Sequence, residues 1–113
     1  MRHAMDTLTS KRCKPCEGGI PPLTNAEADD LLKRLEGWQR VDQLISKTYH
    51  FKDYCPTISF VNAIAWMANR ENHHPELTVT YNSCRVEYTT HAIRGLTEND
   101  FICAAKADAL FSI

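Results

Sequence analysis

At 113 residues and 43% apolar composition, the chain is long enough to bury one hydrophobic core and short for two. Thirteen Lys and Arg against fourteen Asp and Glu give a formal net charge of −1, which excludes the basic excess needed to grip a phosphate backbone. No apolar run approaches the ~20 residues of a bilayer-spanning helix and the opening MRHAMDTLTSKR has no apolar signal core, so the expectation is a soluble, cytoplasmic protein with no membrane or direct nucleic-acid partner.

Residues 1–23 hold Gly18-Gly19 and Pro21-Pro22 and show little periodicity, which predicts a flexible N-terminal tail ahead of a domain over 24–113. The tail contains Cys13-x-x-Cys16, a single pair without a partner pair at zinc spacing. The other three of the five cysteines, Cys55, Cys84 and Cys103, sit in helix-like or strand-like patterns, where a buried thiol acts as a small apolar group. A disulfide framework is not expected.

Thr24-Asn25-Ala26-Glu27 is a capping-box pattern, and Ala28, Leu31, Leu32 and Leu35 follow at helical spacing, predicting a helix over 25–36 that ends before Gly37. Alternation on both sides of Asp42-Gln43 predicts two antiparallel strands. Asp53 is placed to cap a second helix whose apolar face combines Ile58, Val61, Ala65 and Ala68 with Thr57, Ile64 and Met67, and which ends near Asn72 because Pro75 biases the chain out of the α region. Leu77, Val79 and Tyr81, then Cys84, Val86 and Tyr88, predict a second hairpin turning at Asn82-Ser83. Thr97-Glu98-Asn99-Asp100 resembles another capping box and opens a third helix. The order α-β-β-α-β-β-α implies an α+β fold, a four-stranded antiparallel sheet with three helices packed on one face.

Of the five histidines, His3 falls in the tail and His50 in an alternating strand, where partial exposure is the ordinary outcome. His73 and His74 follow the second helix and His91 closes the fourth strand. A hairpin between them would bring His91 back beside His73 and His74. Three imidazoles in one cleft suit proton transfer near neutrality. The competing readings are a solvated loop, since cations are favourable at a helix C-terminus, and a zinc site built from the same three residues, for which adjacent histidines are poorly spaced. Cys84 as a nucleophile would need an exposed, electropositive setting, and its alternation with Val86 and Tyr88 points inward.

HHPEL followed by TYN, then VEYTTHAIRGLTENDF, with FKDY upstream, resembles the pterin-4a-carbinolamine dehydratase (4a-hydroxytetrahydrobiopterin dehydratase) family over about Thr24 to the C-terminus. Gly37-Trp38, Phe51-Lys52-Asp53, His73-His74-Pro75, Thr90-His91, Gly95-Leu96-Thr97 and Asp100 agree in order and spacing. The resemblance implies a hydro-lyase that removes water from 4a-hydroxytetrahydropterin to give quinonoid dihydropterin in tetrahydrobiopterin recycling, with no metal or redox cofactor. It implies that His73 and His91 transfer protons, that His74 orients the pterin or shares the acid role, and that Pro75, Thr90, Ala92 and Ile93 line the substrate site. Trp38 is either at the pocket border or a core aromatic. It also implies an acidic residue four positions before the first histidine, where this chain has Asn69. A strand left at the sheet edge invites pairing with a second copy, so a homodimer or homotetramer is expected. Members of the resembling group that act as dimerisation cofactors or assembly factors supply the alternative of a non-catalytic module.

Overall fold

The computed structural model describes residues 8–15 and 21–112; His3, Cys16 and Gly18-Gly19 of the expected tail lie outside the described residues. Helix α1 spans Asn25–Leu32, strand β1 Gln39–Val41, β2 Leu44–His50, helix α2 Tyr54–Glu71, β3 Glu76–Val79, β4 Ser83–Tyr88 and helix α3 Glu98–Phe111, with a short 3-10 turn at His91–Ile93. The expected α+β order is therefore the observed one. The strands form one antiparallel sheet in the order β1-β2-β4-β3.

The sheet's inner face follows from the register. Ile45 lies opposite Tyr88 and Tyr49 opposite Cys84, all four buried, while Ser46, Thr48, Arg85 and Glu87 take the other face. Ala28 of α1, Phe60, Ile64 and Met67 of α2, and Phe101, Ile102 and Ala105 of α3 close over the inner face to make the core. Lys47, opposite Val86, also points inward, and its ammonium pairs with the buried Asp108 carboxylate at 2.9 Å.

Both capping boxes form, Thr24 with Glu27 and Thr97 with Asp100. Helix α1 ends earlier than expected: from Arg34 the bonds tighten to the i−3 carbonyl, at Leu31 and Leu32, before Gly37 turns the chain with φ 79°. Asp53 begins α2 without a side-chain cap bond. The buried stripe of α2 runs Thr57, Phe60, Ile64, Met67 and Glu71, so Ala65 is exposed. Strand β3 ends at Val79, two residues before the expected edge, and Tyr81 instead stacks on Tyr54 in the turn, with ring centroids 6.2 Å apart. Cys84 and Cys103 are buried as expected, but Cys55 is exposed in the first turn of α2. Residues 8–15, within the stretch read as a tail, lie against the domain: Leu8 belongs to the core and Lys11 pairs with Glu98 at 2.6 Å.

Candidate active site

Helix α2 stops because Asn72 adopts the left-handed conformation, φ 53° and ψ 40°, and the His73 N–H returns to the Ala68 carbonyl at 3.1 Å. That reversal sends the His73 ring inward, leaving 12% of its side chain accessible, while His74 is exposed. On the far side, β4 ends at Tyr88 and the Thr90–Gly95 backbone bridge closes a small loop around the 3-10 turn that presents His91. His91 thus belongs to a turn and not to the strand end expected from alternation.

A cavity of about 440 Å³ has His73, His74, Thr90, His91 and Ala92 on its wall, facing Cys13 from the N-terminal segment. This volume is within the range of small-molecule sites, roughly 300–1,000 Å³. A neighbouring cavity of about 320 Å³ shares His74 and His91 and adds Pro75. The hairpin therefore brings together His73, His74, Pro75, Thr90, His91 and Ala92. Ile93, half-buried in the 3-10 turn, is on neither wall. Trp38 is not there either: it is 6% exposed in the core, its indole N–H donating to Asp108 at 3.1 Å. An aromatic flanked by Gly37 and β1 packs inward because Asp108 offers the only kind of partner a buried indole requires, an acceptor.

Asp100, noted from sequence as a capping residue, does more than cap. Fully buried, it meets the His73 Nε2 at 2.6 Å through one oxygen, and through the other it accepts from the Thr90 hydroxyl and the Thr97 N–H, both at 2.9 Å. Position N3 of α3 supplies the positive end of the helix dipole, which favours the ionised carboxylate. Burial alone would push the His73 pKa down, but the hydrogen bond to Asp100 and its charge outweigh burial and raise it above the ordinary 6.5. With Nε2–H given to Asp100, Nδ1 is the nitrogen left to exchange a proton. Tyr88 stacks on the same ring, centroids 5.4 Å apart and planes 14° from parallel, which fixes its tilt.

Asn69, where the resemblance implies an acid, is exposed and borders a different hollow, beside His74 and Pro75. The acid that reaches the His73 cavity from α2 is Glu71, the last position of the buried stripe. Its carboxylate accepts the Cys13 N–H at 2.8 Å and pairs with Arg12 at 3.1 Å and Lys106 at 3.2 Å. Burial opposes its ionisation, yet these donors prevail and hold its pKa below the usual carboxylate value. The stripe's spacing, from Thr57 in steps of three and four, was the sequence signal for Glu71 facing inward.

The family model described as pterin 4 alpha carbinolamine dehydratase matches residues 21–110. A Nitrosomonas eutropha protein provisionally named as a pterin-4-alpha-carbinolamine dehydratase is 62% identical over 104 residues, covering 91% of this chain and 92% of that one. Among solved structures, a transcriptional coactivator/pterin dehydratase from Brucella melitensis superposes with a TM-score of 0.76 at 35% identity, over 79% of this chain and 97% of that one. A pterin dehydratase-like protein identified as a RuBisCO assembly factor in the alpha-carboxysome reaches a TM-score of 0.55 at 23% identity, over 65% and 84% of the two chains, a likeness of fold.

Proposed function

The chain belongs to the pterin 4 alpha carbinolamine dehydratase family, and on that premise we propose that it is a hydro-lyase converting a 4a-hydroxytetrahydropterin to quinonoid dihydropterin and water, in support of tetrahydrobiopterin recycling. The observation that carries the reading is the convergence of His73, His74 and His91 on one cavity, with His73 held by a buried carboxylate.

Hydroxide is a poor leaving group, so the C4a–O bond breaks only as a proton arrives. His73, which keeps its proton to higher pH than an ordinary imidazole, is the acid that delivers it from Nδ1 to the C4a hydroxyl. The bonding pair leaves with oxygen as water. His91 takes the N5 proton, and the N–H electrons become the N5=C4a double bond of the product. His74, exposed between the two cavities, orients the pterin, and Pro75, Thr90 and Ala92 shape the walls. Asp100 acts through His73 as a positioning residue, much as a buried aspartate fixes the tautomer of a catalytic imidazole. The reaction needs no electron transfer, so the side chains suffice in principle.

We assign the catalytic unit to residues 24–113, with Cys13, Lys14 and Pro15 of the N-terminal segment completing one wall of its cavity. Among the described residues, strands β1 and β3 end the sheet on either side, and because an edge strand can pair with a second copy this favours a homodimer or homotetramer. A stopped-flow assay of quinonoid dihydropterin formation tests the reading: wild type should accelerate it, and the His73→Ala and His91→Ala variants should each lose about 10²–10⁴-fold. Unaccelerated product formation by a folded wild type would instead favour the non-catalytic assembly module.

A further inference from the structure

Cys13 and Cys103 lie ninety positions apart in sequence, yet their sulfurs are 3.5 Å apart. The approach is held from both sides of Cys13: its own N–H is fixed to Glu71 at 2.8 Å, the Lys14 N–H donates to the Asn99 side-chain oxygen at 3.0 Å, and the Asn99 amide donates back to the Lys14 carbonyl at 2.6 Å. Cys103 is fixed in the core of α3, fully buried, with its sulfur 3.9 Å from the His73 carbonyl oxygen. Cys13 stands on the cavity wall and is the sulfur a small solute can reach. We propose that Cys13 and Cys103 form a thiol pair that a low-molecular-weight disulfide oxidises to an intramolecular disulfide, tying residues 11–15 to α3 beside His73.

The step balances as a thiol–disulfide exchange. Cys103, the more acidic sulfur, first releases its proton to solvent; its thiolate then takes the Cys13 proton as Cys13 attacks one sulfur of the small disulfide and expels the other half as a thiolate. That thiolate takes the proton from Cys103, whose sulfur then attacks the Cys13 sulfur and releases the second half as a thiolate, which takes up the proton that Cys103 gave to solvent. Two protein thiols are oxidised and one small disulfide is reduced to two thiols. The unequal acidity of the pair fits this course: the hydrogen bond from Cys13 holds the Cys103 thiol below its ordinary value against the opposing effect of burial, and the same bond pushes the Cys13 thiol up. Bond formation brings the sulfurs to about 2 Å, a closure of about 1.5 Å that side-chain rotation and a small shift of the segment can supply. Cys13, Lys14 and Pro15 all line the His73 cavity, so the bond fixes one wall of it. Formation of the bond itself does not depend on the proposed dehydration.

The test uses the full chain carrying Cys55→Ser, which removes the exposed thiol on α2, incubated with oxidised glutathione, acid-quenched, alkylated and read by fragmentation mass spectrometry. The expected major product is a Cys13–Cys103 linkage that persists when Cys16→Ser is added and disappears with Cys13→Ser. A Cys13–Cys16 linkage as the major product, a glutathione adduct that persists on Cys13, or no loss of thiols would each overturn the proposal.

Discussion

Replacing Asp100 by Asn removes one charge and almost no volume from a fully buried position. The asparagine oxygen can keep the bonds from Thr90 and Thr97, because both reach the same carboxylate oxygen, so the start of α3 stays capped. Its amide then faces His73 Nε2, where it can only donate, and the imidazole must turn that nitrogen into an acceptor and carry its proton on Nδ1. Charged His73 would then be unsupported, and burial, the opposing influence, would lower its pKa below the wild-type value. Loss of a charge-assisted bond should cost about 1.5–3 kcal/mol of stability, against a total of roughly 5–15 kcal/mol. Loss of the acid should lower kcat by about 10²–10⁴-fold while KM changes little. Because the folded pKa of His73 is raised, its contribution to stability is fully present below 6.5 and fades as pH rises through the folded value; Asp100→Asn should flatten that dependence and shift the alkaline limb of kcat/KM to lower pH. Stopped-flow rates and an NMR titration of the imidazole read both effects. A variant with wild-type kcat and an unmoved His73 titration refutes the reasoning.

Trp38→Phe should leave KM unchanged, because Trp38 is in the core, and should lower stability by about 1–3 kcal/mol by removing one donor from buried Asp108; chemical denaturation alongside the rate assay checks both. Ile45→Ala empties a fully buried site under the sheet and should cost about 2–5 kcal/mol by the same denaturation measurement, with little change in kcat of the folded fraction. Glu71→Gln should loosen residues 11–15, seen as faster tryptic cleavage at Lys11 and Arg12 under native conditions. The sign of its pH dependence is opposite to that of His73: the ionised Glu71 contributes above the ordinary carboxylate value of 4.5 and that contribution is lost as pH falls through its lowered folded value.

Element types and order were legible because each helix had a local start signal and each hairpin a period-two pattern. Thr24 and Thr97 with their N3 acids form the expected boxes, and Asn72 ends α2 where Pro75 forces a change. Periodicity combined Ile58, Val61, Ala65 and Ala68 with Thr57, Ile64 and Met67 in one broad face; the fold buries Thr57, Ile64, Met67 and Ala68, leaves Ile58 and Val61 half-buried and Ala65 exposed, and carries Glu71 inward with the buried side. The convergence of His73, His74 and His91 was legible from the hairpin, since antiparallel pairing returns the chain to where it began. Asp100 was legible as a cap and as a landmark of the resemblance but not as the partner of His73, because a carboxylate has two oxygens and sequence spacing reports the use of one. The contact between Cys13 and Cys103 had no local signal at all, being a tertiary approach across ninety positions.

The measurement that bears most directly on the account is the pre-steady-state rate of quinonoid dihydropterin formation from a freshly generated 4a-hydroxytetrahydropterin, comparing wild type with the His73→Ala/His91→Ala double variant at matched circular dichroism. Acceleration by the wild type and a return to the buffer rate in the folded double variant is the predicted result. Equal rates for the two proteins would contradict it.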